Sequence, residues 1–222
     1  MRTLYHIPLC PFSRKVRLSL AEKRLDHALV VEPTWRRREE FLEMNHAGQV
    51  PVLIDLNNQR LCSSQAIVEY LDEAYPTPPL IGQDVFQRAE VRRLVDWFDD
   101  KFNIEVTRKI VYEKALRRHF EGGGPDSQRI RQGASAIHDH LDYICWLADR
   151  RHWLAGNDYS LADIAAAAHL SCVDFTGHVP WEKYPEAKEW YARIKSRPTF
   201  RAILNDQMPG IARAPHYADL DF

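Results

Sequence analysis

Cys10 is followed directly by Pro11, Phe12 and Ser13. Residues 2–7 (RTLYHI) are rich in β-formers, and residues 12–24 carry Val16, Leu18, Leu20 and Ala21 among basic residues, the pattern of an amphipathic helix. Cys10 therefore stands at a strand-to-helix junction. A thiol there faces unpaired N–H groups and the positive end of the helix dipole. Both favour thiolate, so the expectation is a lowered pKa and a nucleophile at neutral pH. The C-x-x-S spacing offers no second cysteine to resolve a mixed disulfide. The alternative is an ordinary buried cysteine.

Two further stretches could hold a ligand. In Gln49-Val50-Pro51-Val52, Pro51 cannot donate to a ladder and belongs at a strand start. A cis bond before it would turn the Val50 main chain outward, toward a peptide-like ligand. In Ser63-Ser64-Gln65, a serine at a helix start either caps the helix or leaves room for a carboxylate. Ser160-Leu161-Ala162-Asp163 reads as a capping box before four alanines, a structural device. The ten histidines form no metal-ligand set, since His138 and His140 point to different helix faces.

These residues need elements to position them. Strand patterns recur at 27–32, 51–56 and 59–62, with Asn57-Asn58 as a turn, and helical patterns at 36–45 and 64–75. The order β-α-β-α-β-β-α predicts a mixed sheet with helices on it. Pro76, Pro78 and Pro79 interrupt the chain, and strand signals then vanish. Helical spacing covers 83–120, 126–150, 160–172 and 185–197. The expected organisation is an α/β domain over 1–76, a linker over 77–82, an all-helical domain over 83–200 and a tail over 201–222. Trp97, Phe98, Phe102 and Tyr112 are core candidates, with some able to line a pocket beside Cys10.

The 222 residues carry 30 Lys+Arg against 31 Asp+Glu, which excludes the basic excess of a nucleic-acid binder. No apolar run is long enough to cross a bilayer. Four cysteines, at 10, 62, 145 and 172, fit no disulfide framework, so free thiols in the cytoplasm are expected.

Taken together, the pieces resemble the glutathione S-transferase superfamily over residues 1–200. The matching segments are Cys10-Pro11-Phe12-Ser13 with Arg17 and Leu20, Asn45-x-x-Gly48-Gln49-Val50-Pro51, Ser64-x-Ala66-Ile67, Gly156-x-x-x-Ser160-Leu161-Ala162-Asp163 and Trp190-x-x-Arg193-Ile194-x-x-Arg197-Pro198. The resemblance implies a thioredoxin-like domain joined to a helical bundle, a symmetric homodimer, and glutathione as co-substrate. It places Cys10 at the glutathione-activating position, with Ser13 as an alternative hydroxyl. Val50 would pair with the cysteinyl backbone, between Gln49 and Pro51, and Ser64 would hold the γ-glutamyl carboxylate. The family's usual acid before that serine is Ser63 here. Losing one charge-assisted bond costs roughly 1.5–3 kcal/mol, about ten- to hundredfold in affinity.

Two functions stay open. One is glutathione-dependent thiol transfer or conjugation at Cys10, acting on a small electrophile or disulfide. The other is a non-catalytic binding protein. The missing acid, Trp35-Arg36-Arg37-Arg38 and a tail ending Tyr217-Ala218-Asp219-Leu220-Asp221-Phe222 are similar to the division proteins of α-proteobacteria that bind FtsZ. On the second reading the tail contributes little to the core and is free to dock on a partner. The dimer is expected to use the helices at 64–75 and from 83, through residues such as Val68, Val91 and Leu94.

Overall fold

The computed structural model describes residues 1–220. Asp221 and Phe222, which belong to the proposed docking tail, lie outside the described residues. The N-terminal unit runs β1 (Arg2–His6), α1 (Pro11–Glu22), β2 (His27–Val31), α2 (Glu39–Met44), β3 (Val52–Ile54), β4 (Arg60–Cys62) and α3 (Ser64–Ala74). The sheet order is β2-β1-β3-β4, with β1 parallel to β2 and antiparallel to β3. This is the expected thioredoxin-like order. The β3–β4 turn closes through the Asn58 N–H, which donates to the Asp55 carbonyl.

The linker brings Thr77 and Pro78 together in a cis peptide. A helical rod over 85–120 follows. It comprises α4 (Val85–Asp96), a stretch of wide π-type turns (Trp97–Thr107), α5 (Arg108–Val111), a second wide stretch (Tyr112–Leu116) and α6 (Arg117–Phe120). Then come α7 (Ser127–Arg150), α8 (Leu161–Phe175), α9 (Pro185–Lys195) and α10 (Arg201–Leu204). Asp84 and Asp126 cap α4 and α7, and Ser160 with Asp163 forms the expected capping box of α8. Ala165 to Ala168 are fully buried, so small side chains let α8 approach its neighbours closely.

Three expectations need correction. First, α1 is not a surface amphipathic helix: it is buried continuously from Ser13 to Leu20. Its basic residues enter the interior because distant carboxylates meet them. Arg14 and Arg17 share Asp206, at 3.1 and 2.7 Å, Lys15 meets Asp99, and Lys23 meets Asp72 at 2.8 Å. Second, Val68, Val91 and Leu94 are buried within the single chain, so they are core rather than dimer surface. Phe98 and Phe102 are core as expected.

Third, the tail is packed structure through its described part. The Ala214 N–H donates to the Phe175 carbonyl. Tyr217 is fully buried, meets the Phe175 ring edge-to-face, and donates its hydroxyl to the Ile203 carbonyl. Proline composition suggested few contacts, but a single buried aromatic side chain and one paired carboxylate anchor the segment.

Candidate functional site

Two cavities meet at the N-terminus of α1. One is a polar cleft of about 350 Å³ lined by Asn45, Gln49, Val50, Pro51, Cys62 and Ser63 to Gln65, with Asp99 across from them. The other is an apolar groove of about 350 Å³ lined by Cys10, Leu9, Thr107, Val111, Tyr112 and Phe120 among others. Phe12, Gln49 and Val50 line both and form the wall between them. The structure thus brings Gln49, Val50, Pro51, Ser63 and Ser64 together, and places Cys10 on the far side of that wall.

Several features of the cleft suit a carboxylate and a peptide backbone. The Val50–Pro51 bond is cis. Among the described residues, the Val50 main chain makes no hydrogen bond. Ser63 occupies the N-cap of α3 with φ +72°, a region that costs a non-glycine residue about 1–3 kcal/mol. Its hydroxyl does not cap the helix, against the simple capping alternative. The first N–H groups of α3 therefore remain turned toward the cleft, beside Ser64.

Sequence reasoning missed Asp99. It projects from the wide turns of the rod and is the carboxylate of the cleft lining. Lys15 pairs with it, and the Lys15 ammonium also donates to Gln65 at 3.3 Å. His169 stands 3.4 Å away on its other oxygen and exchanges a 2.9 Å bond with Thr107. Burial pushes the Asp99 carboxyl up, but Lys15 and His169 overcome that and hold it below the ordinary carboxylate value. The charge that position 63 lacks is present in the cleft, already engaged by a cation. Nothing local around Asp99 signalled this; only the fold brings residues 15, 99 and 169 together.

Cys10 stands at the N-cap position of α1, the helix N-terminus expected from the sequence, with its sulfur near the Phe12 and Ser13 N–H groups but making no capping hydrogen bond. The chemistry differs from the expectation. Burial pushes the thiol up, and the Ser13 hydroxyl, those two amides and Arg14 together do not offset it. The residue keeps part of its surface on the groove, yet its sulfur is enclosed by protein; the enclosure decides the direction. Ser13 is fully buried and lines neither cavity, so its hydroxyl is no alternative nucleophile. Cys62, which lines the polar cleft, and Cys145 are also shifted up by burial, and Cys172 is pushed up to about 11. All four cysteines are free, and among the described residues no cluster could hold a metal ion.

Profiles for the glutathione S-transferase N-terminal and C-terminal domains match residues 4–79 and 133–198. The chain belongs to the glutathione S-transferase family. It is 49% identical to FtsZ-localized protein A of Caulobacter vibrioides, over all of this chain and 98% of that one. A crystal structure of a glutathione S-transferase from Rhodospirillum rubrum superposes with a TM-score of 0.98 at 56% identity, with both chains fully covered. A glutathione S-transferase from Methylobacillus flagellatus with glutathione bound superposes at 0.74, with 29% identity over 91% of this chain and 98% of that one. The thioredoxin-like sheet and the helical bundle read from the sequence are those of the family, and no helix of the described residues is long and apolar enough to cross a membrane.

Proposed function

We propose that this protein is a homodimeric binding protein on the glutathione S-transferase fold, acting at the cytoplasmic division site by engaging FtsZ and not by thiol chemistry. The non-catalytic half is supported by the enclosure of Cys10, whose sulfur is shut in by protein so that burial pushes the thiol up. A thiol held above its ordinary value supplies little thiolate at neutral pH, and neither Ser13 nor a second cysteine can take its place. The partner half is supported by the full-length likeness to a protein whose name places it with FtsZ. With Val68, Val91 and Leu94 in the core, the dimer would use Val85 and Phe86, which open α4 and are 75% and 83% exposed. The test is co-sedimentation of the purified protein with polymerised FtsZ; protein left in the supernatant at all FtsZ concentrations rejects the reading.

A second reading rests on the polar cleft. Its uncapped α3, its open Val50 main chain and Ser64 fit glutathione's γ-glutamyl carboxylate and cysteinyl backbone. On this reading glutathione binds weakly, because Ser63 carries no charge and Asp99 is held by Lys15. Thiol transfer would then start from a glutathionylated disulfide substrate: the Cys10 thiolate attacks the glutathione sulfur, the substrate leaves as its thiol, and a second glutathione thiolate attacks the Cys10–glutathione disulfide to release Cys10 and glutathione disulfide. Calorimetric titration with glutathione distinguishes the two: saturable binding, even in the weak range, supports the enzyme, and absent heat supports the binding protein.

A further inference from the structure

β2 forms one edge of the sheet. The Glu32 N–H bonds the His6 carbonyl. Main-chain groups alternate sides along a strand, so Ala28 and Val30 also face β1, and the N–H and C=O of Leu29 and Val31 point outward. Among the described residues nothing pairs with that outer edge. Its side chains are apolar and open: Leu29 is 41% exposed, Val30 36% and Val31 57%. Native edges are usually blunted by a lysine, a proline, a bulge or a covering element, and His27–Val31 carries no lysine or proline.

At the end of β2 lies a groove of about 400 Å³, lined by Val31, Pro33, Trp35, His119, Met208 and Pro209. Cations gather there. Arg36 and Arg37 follow on an exposed turn, and among the described residues neither has an ion-pair partner. The Arg118 guanidinium reaches the nearby Gly210 carbonyl. Of the acids around this turn, Glu32 is buried and engaged by Arg38, Glu40 is exposed 3.8 Å from Arg38, and Glu39 is exposed beside it. At the other end of the strand Arg24 and Asp26 offset one another.

We propose that the outer edge of β2 and this groove bind an extended segment of a partner protein by strand addition, the segment alternating acidic with aliphatic residues. The main chain of the segment completes the outward N–H and C=O groups of Leu29 and Val31. An aliphatic side chain enters the groove beside Val31, and its acids lie toward Arg36, Arg37 and Arg118. The polar cleft sits on β3, β4 and α3, across the sheet, so both can be filled at once. The inference does not depend on FtsZ being the partner.

The probe is a fluorescein-labelled ten-residue peptide alternating aspartate with valine, read by anisotropy and by hydrogen exchange of the protein's amides. Binding should weaken as salt rises and should slow exchange at Leu29 and Val31. N-methylation of alternate peptide amides, made in both registers, should leave one register binding and weaken the other by about tenfold or more. Replacing Arg36 and Arg37 together (Arg36→Glu, Arg37→Glu) should weaken it several-fold. Equal binding of a lysine–valine peptide, tolerance of both N-methylated registers, unchanged exchange at Leu29 and Val31, or no binding at all would each overturn the proposal. The exchange measurement uses the unaltered protein, so a misfolded variant cannot obscure the answer.

Discussion

The N-terminus of α1 and the segment 201–220 press on the same buried helix with opposite consequences. At Cys10, enclosure removes solvent and offers only amides, one hydroxyl and the Arg14 charge in return, so burial pushes the thiol up. At Arg14 and Arg17, enclosure arrives together with Asp206, whose carboxylate pairs with both guanidinium groups inside the protein. The difference shows what the interior of this fold tolerates. A charge enters when a full opposite charge comes with it, and a helix dipole alone is not enough.

The sharpest way to break this comparison is to remove the tail's side of it. Asp206→Ala would leave Arg14 and Arg17 buried without a carboxylate, which typically costs about 3–5 kcal/mol. Tyr217→Ala should cost about 3 kcal/mol or more, through the lost ring packing and cavity. For a chain of this size these losses lower the melting temperature by roughly 6–20 °C, measurable by scanning fluorimetry. A shift below about 2 °C for both would return the segment to the status of a loose appendage.

Next comes pH. His6 is buried beside the same cluster, and burial, reinforced by Arg17, holds its pKa down at about 4. The unfolded chain takes up this proton near the ordinary histidine value while the folded chain does not. Stability is therefore complete above that value and falls as pH drops toward 4, by up to about 3 kcal/mol. Urea titrations of wild type and His6→Gln between pH 7 and 4 should diverge accordingly. Parallel curves would contradict the assignment.

Much of the fold was legible in the sequence, and the site only in part. Periodicity located α3, α7 and α9 because each buries its own stripe, and runs of β-formers located the strands. The cleft residues 49–51 and 63–64 were found because they are contiguous runs at element ends. Asp99 and the anchoring of Asp206 were not legible. Each matters through a partner at least 84 residues away, Lys15 for Asp99 and Arg14 or Arg17 for Asp206, and no local spacing carries that information. The direction of the Cys10 shift was missed for a related reason: position predicts the amides, but only packing reveals the desolvation.

A smaller effect concerns the cleft. Ser63→Glu should raise glutathione affinity about tenfold, because Asp99 is held by Lys15 and cannot neutralise the ligand's ammonium. Calorimetry that finds no change would mean that Asp99 already serves the ligand. Smaller still is the thiol itself. Alkylation of Cys10, mapped by mass spectrometry, should keep accelerating above the ordinary thiol pKa, with Cys172 slower yet. A plateau below neutral pH would restore the activated thiolate.

The most direct measurement is co-sedimentation of polymerised FtsZ with the wild-type protein and with Cys10→Ala, side by side. Both should pellet with the polymer to the same extent, because on this account binding uses the protein's surface and the Cys10 sulfur is enclosed. Loss of pelleting in Cys10→Ala, with its fold and melting temperature intact, would show that the thiol is part of the function and would contradict the account.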